Sequence, residues 1–316
     1  MDTWPPPAEE GVIPAAPITP GDFPTSPLAL RSADPARQAT ARAFAVEQAA
    51  AAGGAAGLLA RLWEAAPDLP ARVAALTAVH ARLVDWRYRL AVRMGPPPVV
   101  GTGFDPERFR TPIRAGDTNY DRLGEVGRLR EDARWDQATR GYTGGRPTPA
   151  WEAMLRYGRL AEQRFAAEGV GGDVLQNRVL LPDGRRIAGN RLLRGEAARR
   201  ADAVLAARAA ARGVDTSRLE RGAWSVYTAT PDPRDGAVLH SAALGLLARP
   251  GLTAEDYLLA RYLLFQAPRT KKGSDAVTRT FVVTVGAVAL PGRTPALPED
   301  IDLRCYVLGQ ARCLRP

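Results

Sequence analysis

One basic loop between two apolar segments carries the residue types that best fit chemistry on an anion. It reads FQAPRTKKGSDAVTR and covers residues 265–279. Its cationic side chains attract negative charge, and its glycine lets a ligand approach the backbone closely. Its serine is predicted to cap the next helix, whose first amide groups would then face a phosphate or carboxylate. The residues predicted to bind the anion are Arg269, Lys271, Lys272, Gly273, Ser274 and Arg279.

The same loop also fits an ordinary solvated bend between two buried helices. Asp275 and Arg279 are four residues apart, and such a pair on a helix surface contributes about a few tenths of a kcal/mol. Two adjacent lysines are also common in exposed turns. The sequence leaves both interpretations open, the anion site and the solvated bend.

The sequence has few other signatures of catalysis. It has no GxSxG nucleophile elbow and no phosphate-binding P-loop. Cys305 and Cys313 are expected to be reduced, and no metal site is expected from them and the two histidines. His80 lies at the edge of an apolar helical stripe and His240 beside leucines, so both are interpreted as structural.

The order of the segments around the loop resembles the Fic/Doc (Fido) superfamily, over residues 174–290. A hairpin and helices precede an apolar helix, a polar loop and a second buried helix. The family signature is HxFx(D/E)GNGRxxR, in which the histidine deprotonates the target hydroxyl and the glycine-rich loop binds a nucleotide diphosphate. Gly273 matches the first glycine, Ser274 the asparagine and Arg279 the closing arginine.

The chain departs from this signature at the position of the family's catalytic histidine and in the glycine-rich loop. Gln266 takes the place of the histidine, and the loop after it is longer by two residues. Asp275 and Ala276 replace the second glycine and its arginine. His240, which could supply a base from an earlier helix, and Asp275 are then the candidate catalytic residues.

The resemblance implies a transferase that moves a nucleotidyl, phosphoryl or glycosyl group to a hydroxyl of a protein or small molecule. The donor would be a nucleotide or nucleotide sugar, with Mg²⁺. A bacterial effector or toxin is the expected role, delivered with its proline-rich N-terminal tail. The alternative is a non-catalytic helical binding or structural protein whose basic loop contacts an acidic partner.

Composition limits the classes of protein that the chain can be. Its 316 residues are 46% hydrophobic, enough for a large folded core. The net charge of +9 comes mostly from arginine, and aromatic residues do not alternate with the basic clusters, so no nucleic-acid partner is expected. We also expect no membrane span, and a cytoplasmic location or export without a cleavable signal peptide.

The sequence predicts a mainly α fold, a multi-helix domain with one β-hairpin. Its predicted parts are a proline-rich segment (1–34), a helical region (35–147) and a Fido-like helical domain (148–316) with a hairpin at 174–190. The first part is expected to be disordered or draped over the domain. The second is predicted to bend at Gly53-Gly54 and to be irregular over 99–147. Predicted helix caps are Asp68, Thr148, Thr253 and Ser274.

Overall fold

The computed structural model describes residues 17–95, 104–220, 224–290 and 294–314. The chain is 56% helical and 12% strand, which confirms the mainly α class. The helices are α1 (Pro35–Arg42), α2 (Phe44–Glu64), α3 (Leu69–Met94), α4 (Pro149–Ala167), α5 (Gly195–Ala210), α6 (Pro233–Leu247), α7 (Ala254–Gln266), α8 (Ser274–Ala289), α9 (Ile301–Val307) and α10 (Gln310–Cys313). The strands are β1 (Tyr120–Gly124), β2 (Arg134–Asp136), β3 (Gly141–Thr143), β4 (Val174–Leu180), β5 (Arg186–Leu193) and β6 (Ser225–Ala229).

Three of the four predicted helix caps are confirmed. The side chains of Asp68, Thr148 and Thr253 accept hydrogen bonds from the amide three residues later, at 2.8, 3.2 and 3.1 Å respectively. These bonds satisfy amide groups that have no partner inside the helix. The fourth prediction, at Ser274, is wrong and is treated with the site below.

The strands extend further than the predicted single hairpin. β4 and β5 form that hairpin, and they belong to an antiparallel sheet of order β1-β6-β5-β4. β1 lies in the segment predicted to be irregular and pairs with β6, more than 90 residues along the chain, from Tyr120 opposite Ala229 to Gly124 opposite Ser225. β2 and β3 form a second, two-stranded sheet. The part of the 99–147 prediction that covers 99–103 lies outside the described residues.

Helix α8 runs through the largest hydrophobic cluster and is buried along most of its length. Helices α2 and α3 pack on it from the first predicted region, and α7 packs on it from the second. Leu76, Leu244 and Phe281 all belong to this cluster. The start of α8, and with it the basic loop, is therefore held by a core shared across residue 147. The division of the chain at that residue stays a prediction.

Helix α2 runs straight through Gly53 and Gly54, so the predicted bend there is wrong. The break between α1 and α2 falls at Ala43 instead. A β-carbon at either glycine would meet nothing within 4 Å, so no contact requires a bend there. Alanines on both sides favour an uninterrupted helix.

The stretch 35–64 bears on the expectation that the chain has no membrane span. By length and composition it is apolar enough to cross a membrane, the one such helix among the described residues. This is weak evidence for a span, because the helices of soluble cores pass the same test. Ala52, Ala55 and Leu59 of α2 are buried in the main cluster, although only 28% of the apolar window is buried.

Part of the predicted N-terminal tail lies against the fold. Phe23 is buried in the main cluster, the carbonyl of Leu30 accepts from the amide of Ala150 at 3.1 Å, and the Ser32 hydroxyl donates to Glu131 at 2.5 Å. Of the two alternatives predicted for this segment, residues 17–34 therefore follow the one in which the segment lies over the domain. Residues 1–16 lie outside the described residues.

Candidate functional site

The basic loop between α7 and α8 is held by the segment that precedes β1. The amide of Ile113 donates to the carbonyl of Arg269 at 3.1 Å, and the amide of Lys271 donates to the carbonyl of Thr111 at 3.0 Å. The side chain of Asn119 donates to the carbonyl of Lys271 at 3.2 Å. The basic loop and the segment before β1, which lie far apart in the sequence, are thus held together by hydrogen bonds. The loop is not a free bend.

Helix α8 begins without a side-chain cap. Its N-cap residue is Gly273, in the left-handed region at φ +76°. The Ser274 hydroxyl donates to the carbonyl of Thr270 at 3.0 Å and accepts from the amide of Thr270 at 3.2 Å. Because this hydroxyl closes the preceding turn, Ser274 cannot serve as the predicted cap.

Arg279 lies inside the protein and holds α8 to the start of α9. Its Nε donates to Asp275 at 2.8 Å, and a terminal nitrogen donates to Asp302 at 3.1 Å and to the carbonyl of Glu299 at 2.9 Å. The pairing of Asp275 with Arg279 is confirmed, but Arg279 is only 3% exposed, so it is not on a solvated surface. Asp275 and Arg279, both predicted site residues, are paired with each other, and Arg279 also bonds groups in the interior.

Lys271 is also paired within the protein. Its Nζ lies 2.6 Å from a carboxylate oxygen of Asp117. That hydrogen bond holds the pKa of Asp117 below its usual value. The positive charge of Lys271 is therefore largely compensated before any ligand arrives.

Lys272 points to the opposite side, over a phenylalanine that it shares with an arginine. Its Nζ lies 5.2 Å from the centre of the Phe109 ring, and Arg87 Cζ lies 4.2 Å from the same centre. Arg87 is half-buried, and its Nε is enclosed without a hydrogen-bond partner among the described residues. Burial lowers the pKa of Arg87 to about 10.

Two further arginines complete this group. The pKa of Lys272 is lowered by burial and then by three neighbouring charges, those of Arg108, Arg87 and Arg31. We call these four residues the cation cluster. Within the described residues none of the four forms an ion pair, whereas Lys271, Arg110 and Arg279 do. The two acids near the cluster are Asp105 and Asp121, and their charges raise the pKa of Arg108 against the larger lowering by burial.

Of the cation cluster, sequence reasoning found only Lys272. A signal existed for Arg87, because His80, Leu83 and Arg87 recur at helical spacing on α3. No pattern in the sequence brings Arg31 and Arg108 together, since Arg31 follows one short 3-10 helix (Pro27–Ala29) and Arg108 lies in another (Pro106–Phe109) far along the chain.

The two histidines of the chain meet under the loop. His80 on α3 and His240 on α6 pack edge to face, with ring centres 5.0 Å apart. They line a small pocket of about 10 Å³, the histidine pocket, together with Arg269, Thr270 and Ser274 among others. The sequence places these histidines 160 residues apart, and only the packing of α3 against α6 joins them.

Both imidazoles are neutral at neutral pH. Burial, and then the charge of Arg269, lower the pKa of His80 to about 4. Burial, His80 and Arg269 lower the pKa of His240 to about 3. Nδ1 of His240 is buried without a hydrogen-bond partner in the described part of the chain. His240 is therefore near the loop, as a candidate base should be, but it is a weak base.

Gln266, which matches the family histidine, is fully buried. Its Oε1 accepts from the amide of Asn190 at 3.0 Å, and its Nε2 donates to the carbonyl of Cys305 at 2.6 Å. This side chain joins α7 to β5 and α9. It faces the interior and not the loop surface.

The loop does not fit the Mg²⁺ that the resemblance implies. Mg²⁺ needs carboxylate oxygens beside the phosphate, and the carboxylate of Asp275 pairs with Arg279. Among the described residues no three His, Cys, Asp or Glu side chains gather as metal ligands.

Arg269 lies between the histidine pocket and a second pocket of about 150 Å³. The second pocket is lined by the prolines 112, 231, 233 and 268 and by Asp232 among others. Arg269 is exposed, so it is the predicted loop residue that borders open space on both sides.

No protein-family model matches the chain, and a comparison with curated proteins gives no match either.

Proposed function

We propose that this protein binds a phosphate-bearing ligand at the cation cluster and transfers a group from that ligand to a hydroxyl. The observation that carries the proposal is the pair Lys272 and Arg87, which both lie over the Phe109 ring and form no ion pair among the described residues.

Lys272 and Arg31 are exposed, and Arg87 and Arg108 are partly buried. Like charges held this close together repel one another unless an anion joins them. Burial lowers the pKa of Lys272, and the charges of the three neighbouring arginines lower it further, as repulsion between like charges does. A phosphate would accept charge-assisted hydrogen bonds from several of these groups at once. A single carboxylate carries too little charge to balance four cations, so a phosphate or diphosphate fits better.

The backbone beside the cluster favours the same ligand. A β-carbon at Gly273 would lie 2.6 Å from Phe109 and 3.1 Å from Arg87, so the N-terminus of α8 adjoins the cluster. Helix N-termini carry partial positive charge. The helix dipole and the cations therefore act in the same direction.

The transfer step, the Fido-like fold and the effector or toxin role rest on the loop motif alone. What supports them is the order of apolar α7, polar loop and buried α8, with Gly273 and Ser274 at the family positions. The candidate base is His240, the imidazole in the pocket beside Ser274. The donor would be a nucleotide or nucleotide sugar.

The low basicity of His240 and the ion pair of Asp275 favour a second function, binding without catalysis. His240 has a pKa of about 3, and Asp275 is paired with Arg279. In this alternative the cation cluster contacts a phosphorylated or acidic partner and no bond is broken.

A melting-temperature panel tests the binding proposal. Pyrophosphate, nucleoside diphosphates and nucleotide sugars should stabilise the wild type, because a ligand that binds only the native state raises its free energy of unfolding. The Lys272→Ala variant should lose this shift, and the Lys271→Ala variant, whose lysine is already paired, should keep it. If no ligand stabilises the wild type, the proposal is wrong.

The transfer step needs a separate assay. Wild-type protein is incubated with hydroxyl acceptors and with a nucleotide sugar that raises its melting temperature. Release of nucleotide is followed by mass spectrometry. Release that His240→Ala abolishes, while its melting shift persists, supports catalysis. Binding without release supports the non-catalytic alternative.

A further inference from the structure

The two cysteines lie side by side near the C-terminus. The Sγ atoms of Cys305 on α9 and Cys313 on α10 are 3.2 Å apart, and both residues are buried. The sequence favours reduced, structural thiols at these positions, and in the structure both are free. Bond formation needs only a further approach of two sulfur atoms that already touch.

We propose that Cys305 and Cys313 form a reversible disulfide by exchange with a small-molecule disulfide. The inference is independent of the cation cluster and of any transfer reaction.

The surroundings of the pair assign different roles to the two sulfurs. A hydrogen bond from Cys305 holds the pKa of Cys313 below its usual value, and the nearby Arg261 acts in the same direction. Burial raises the pKa of Cys305 well above its usual value. Cys313 is 8% exposed and Cys305 is 0% exposed. Cys313 is therefore the attacking thiolate and Cys305 the resolving thiol.

The exchange proceeds in two balanced steps. The Cys313 thiolate attacks one sulfur of the external disulfide, forms a mixed disulfide and expels one external thiolate. Cys305 then loses its proton and attacks Sγ of Cys313, which expels the second external thiolate. Two protein thiols are oxidised, and one small disulfide is reduced to two thiols.

The bond would fasten a C-terminal segment that closes the edge of the sheet. The side chain of Gln310 accepts from the amide of Leu180 at 2.7 Å and donates to its carbonyl at 2.9 Å. Gln310 thereby occupies hydrogen-bonding groups of the edge strand β4. Cys313 follows Gln310 on α10, so a link to α9 would hold this contact in place.

Thiol counting on the whole chain tests the proposal. Reduced wild-type protein should show two thiols in denaturant, and after incubation with oxidised glutathione it should show none and carry no glutathione. Peptide mapping should link residues 305 and 313. Two persistent free thiols, or glutathione retained at both positions, would overturn the proposal.

Two serine variants test the order of attack. Cys305→Ser should retain one glutathione at Cys313, because the resolving thiol is gone. Cys313→Ser should react much more slowly. Equal labelling of the two variants would contradict the assigned roles. If either variant fails to fold, a mass time course on the wild type decides, because the single adduct should appear first and then disappear.

Discussion

At the scale of single residues, Gly273 joins the fold to the candidate site. It has φ +76°, and its missing side chain leaves room for Phe109 and Arg87. Any other residue there meets a backbone penalty and a steric clash. The family resemblance requires glycine at this position for the approach of a diphosphate, and the structure adds an internal reason.

Gly273→Ala should therefore destabilise the protein more than an ordinary left-handed glycine would. Gly213 is the matched control, since it has φ +71° and nothing within 4 Å of its β-carbon position. Gly213→Ala should cost about 1 kcal/mol, and Gly273→Ala at least about 1 kcal/mol more. Urea unfolding measures both, and equal costs would mean that the contact with Phe109 has no energetic weight.

The two histidines predict how stability depends on pH. Their pKa values in the folded state, about 4 and about 3, lie below the ordinary value of about 6.5. Below about pH 6.5 the histidines of the unfolded chain bind protons and those of the folded chain do not. The free energy of unfolding therefore falls as pH falls. Between pH 7 and pH 5 the loss should be about 2 kcal/mol per histidine.

Chemical denaturation at the two pH values checks this loss. The double variant His80→Gln/His240→Gln supplies the contribution of all other groups. Imidazole NMR signals of the wild type should also stay those of neutral rings at pH 5. Protonated rings at pH 5 in the folded protein would contradict the prediction.

At the scale of elements, Arg279 holds α8 to α9. Replacing it by methionine leaves Asp302 buried without its partner. Because burial raises the pKa of Asp302 to about 7, this carboxyl can take up a proton, so the cost should lie near the lower end of about 3–5 kcal/mol. Arg93 and Glu47 form an exposed pair at 2.6 Å, so Arg93→Met should cost less than about 1 kcal/mol. Thermal unfolding compares them, and similar costs would show that Arg279 is not structurally important.

The elements also show what the sequence can predict. Local signals suffice for the starts of α3, α4 and α7 and for the β4–β5 hairpin, because caps and turn residues act within a few residues. β1 escaped prediction because its partner β6 lies far along the chain. Ser274 was misassigned because a serine before a helix fits both a cap and the preceding turn.

The candidate site was predictable only in part, for the same reason. Lys272 and Gly273 belong to the loop that the sequence singles out. The charges that distinguish a ligand site from a solvated bend come from Arg31, Arg87 and Arg108, in three other segments. Lys271, and not Lys272, has an acidic partner because Asp117 lies beside it in the fold. Since Asp117 is far away in the sequence, this contact could not be predicted from local patterns.

At the scale of the whole molecule, the net charge of +9 makes the salt dependence of binding informative. General attraction by a basic surface is screened with a Debye length of about 8 Å at physiological salt. Binding at the cation cluster, where several donors would bond one anion directly, should persist at physiological salt. Pyrophosphate affinity measured at low and physiological salt should fall modestly in the wild type, and complete loss at physiological salt would indicate diffuse surface attraction.

The most direct test of the central claim is a calorimetric titration of pyrophosphate into the wild type, Arg87→Gln and Lys271→Ala. Loss of a charged hydrogen-bond donor costs about 1.5–3 kcal/mol, so Arg87→Gln should bind about tenfold to a hundredfold more weakly. Lys271→Ala should bind like the wild type. Equal affinity of all three proteins, or loss in Lys271→Ala alone, would contradict binding at the cation cluster.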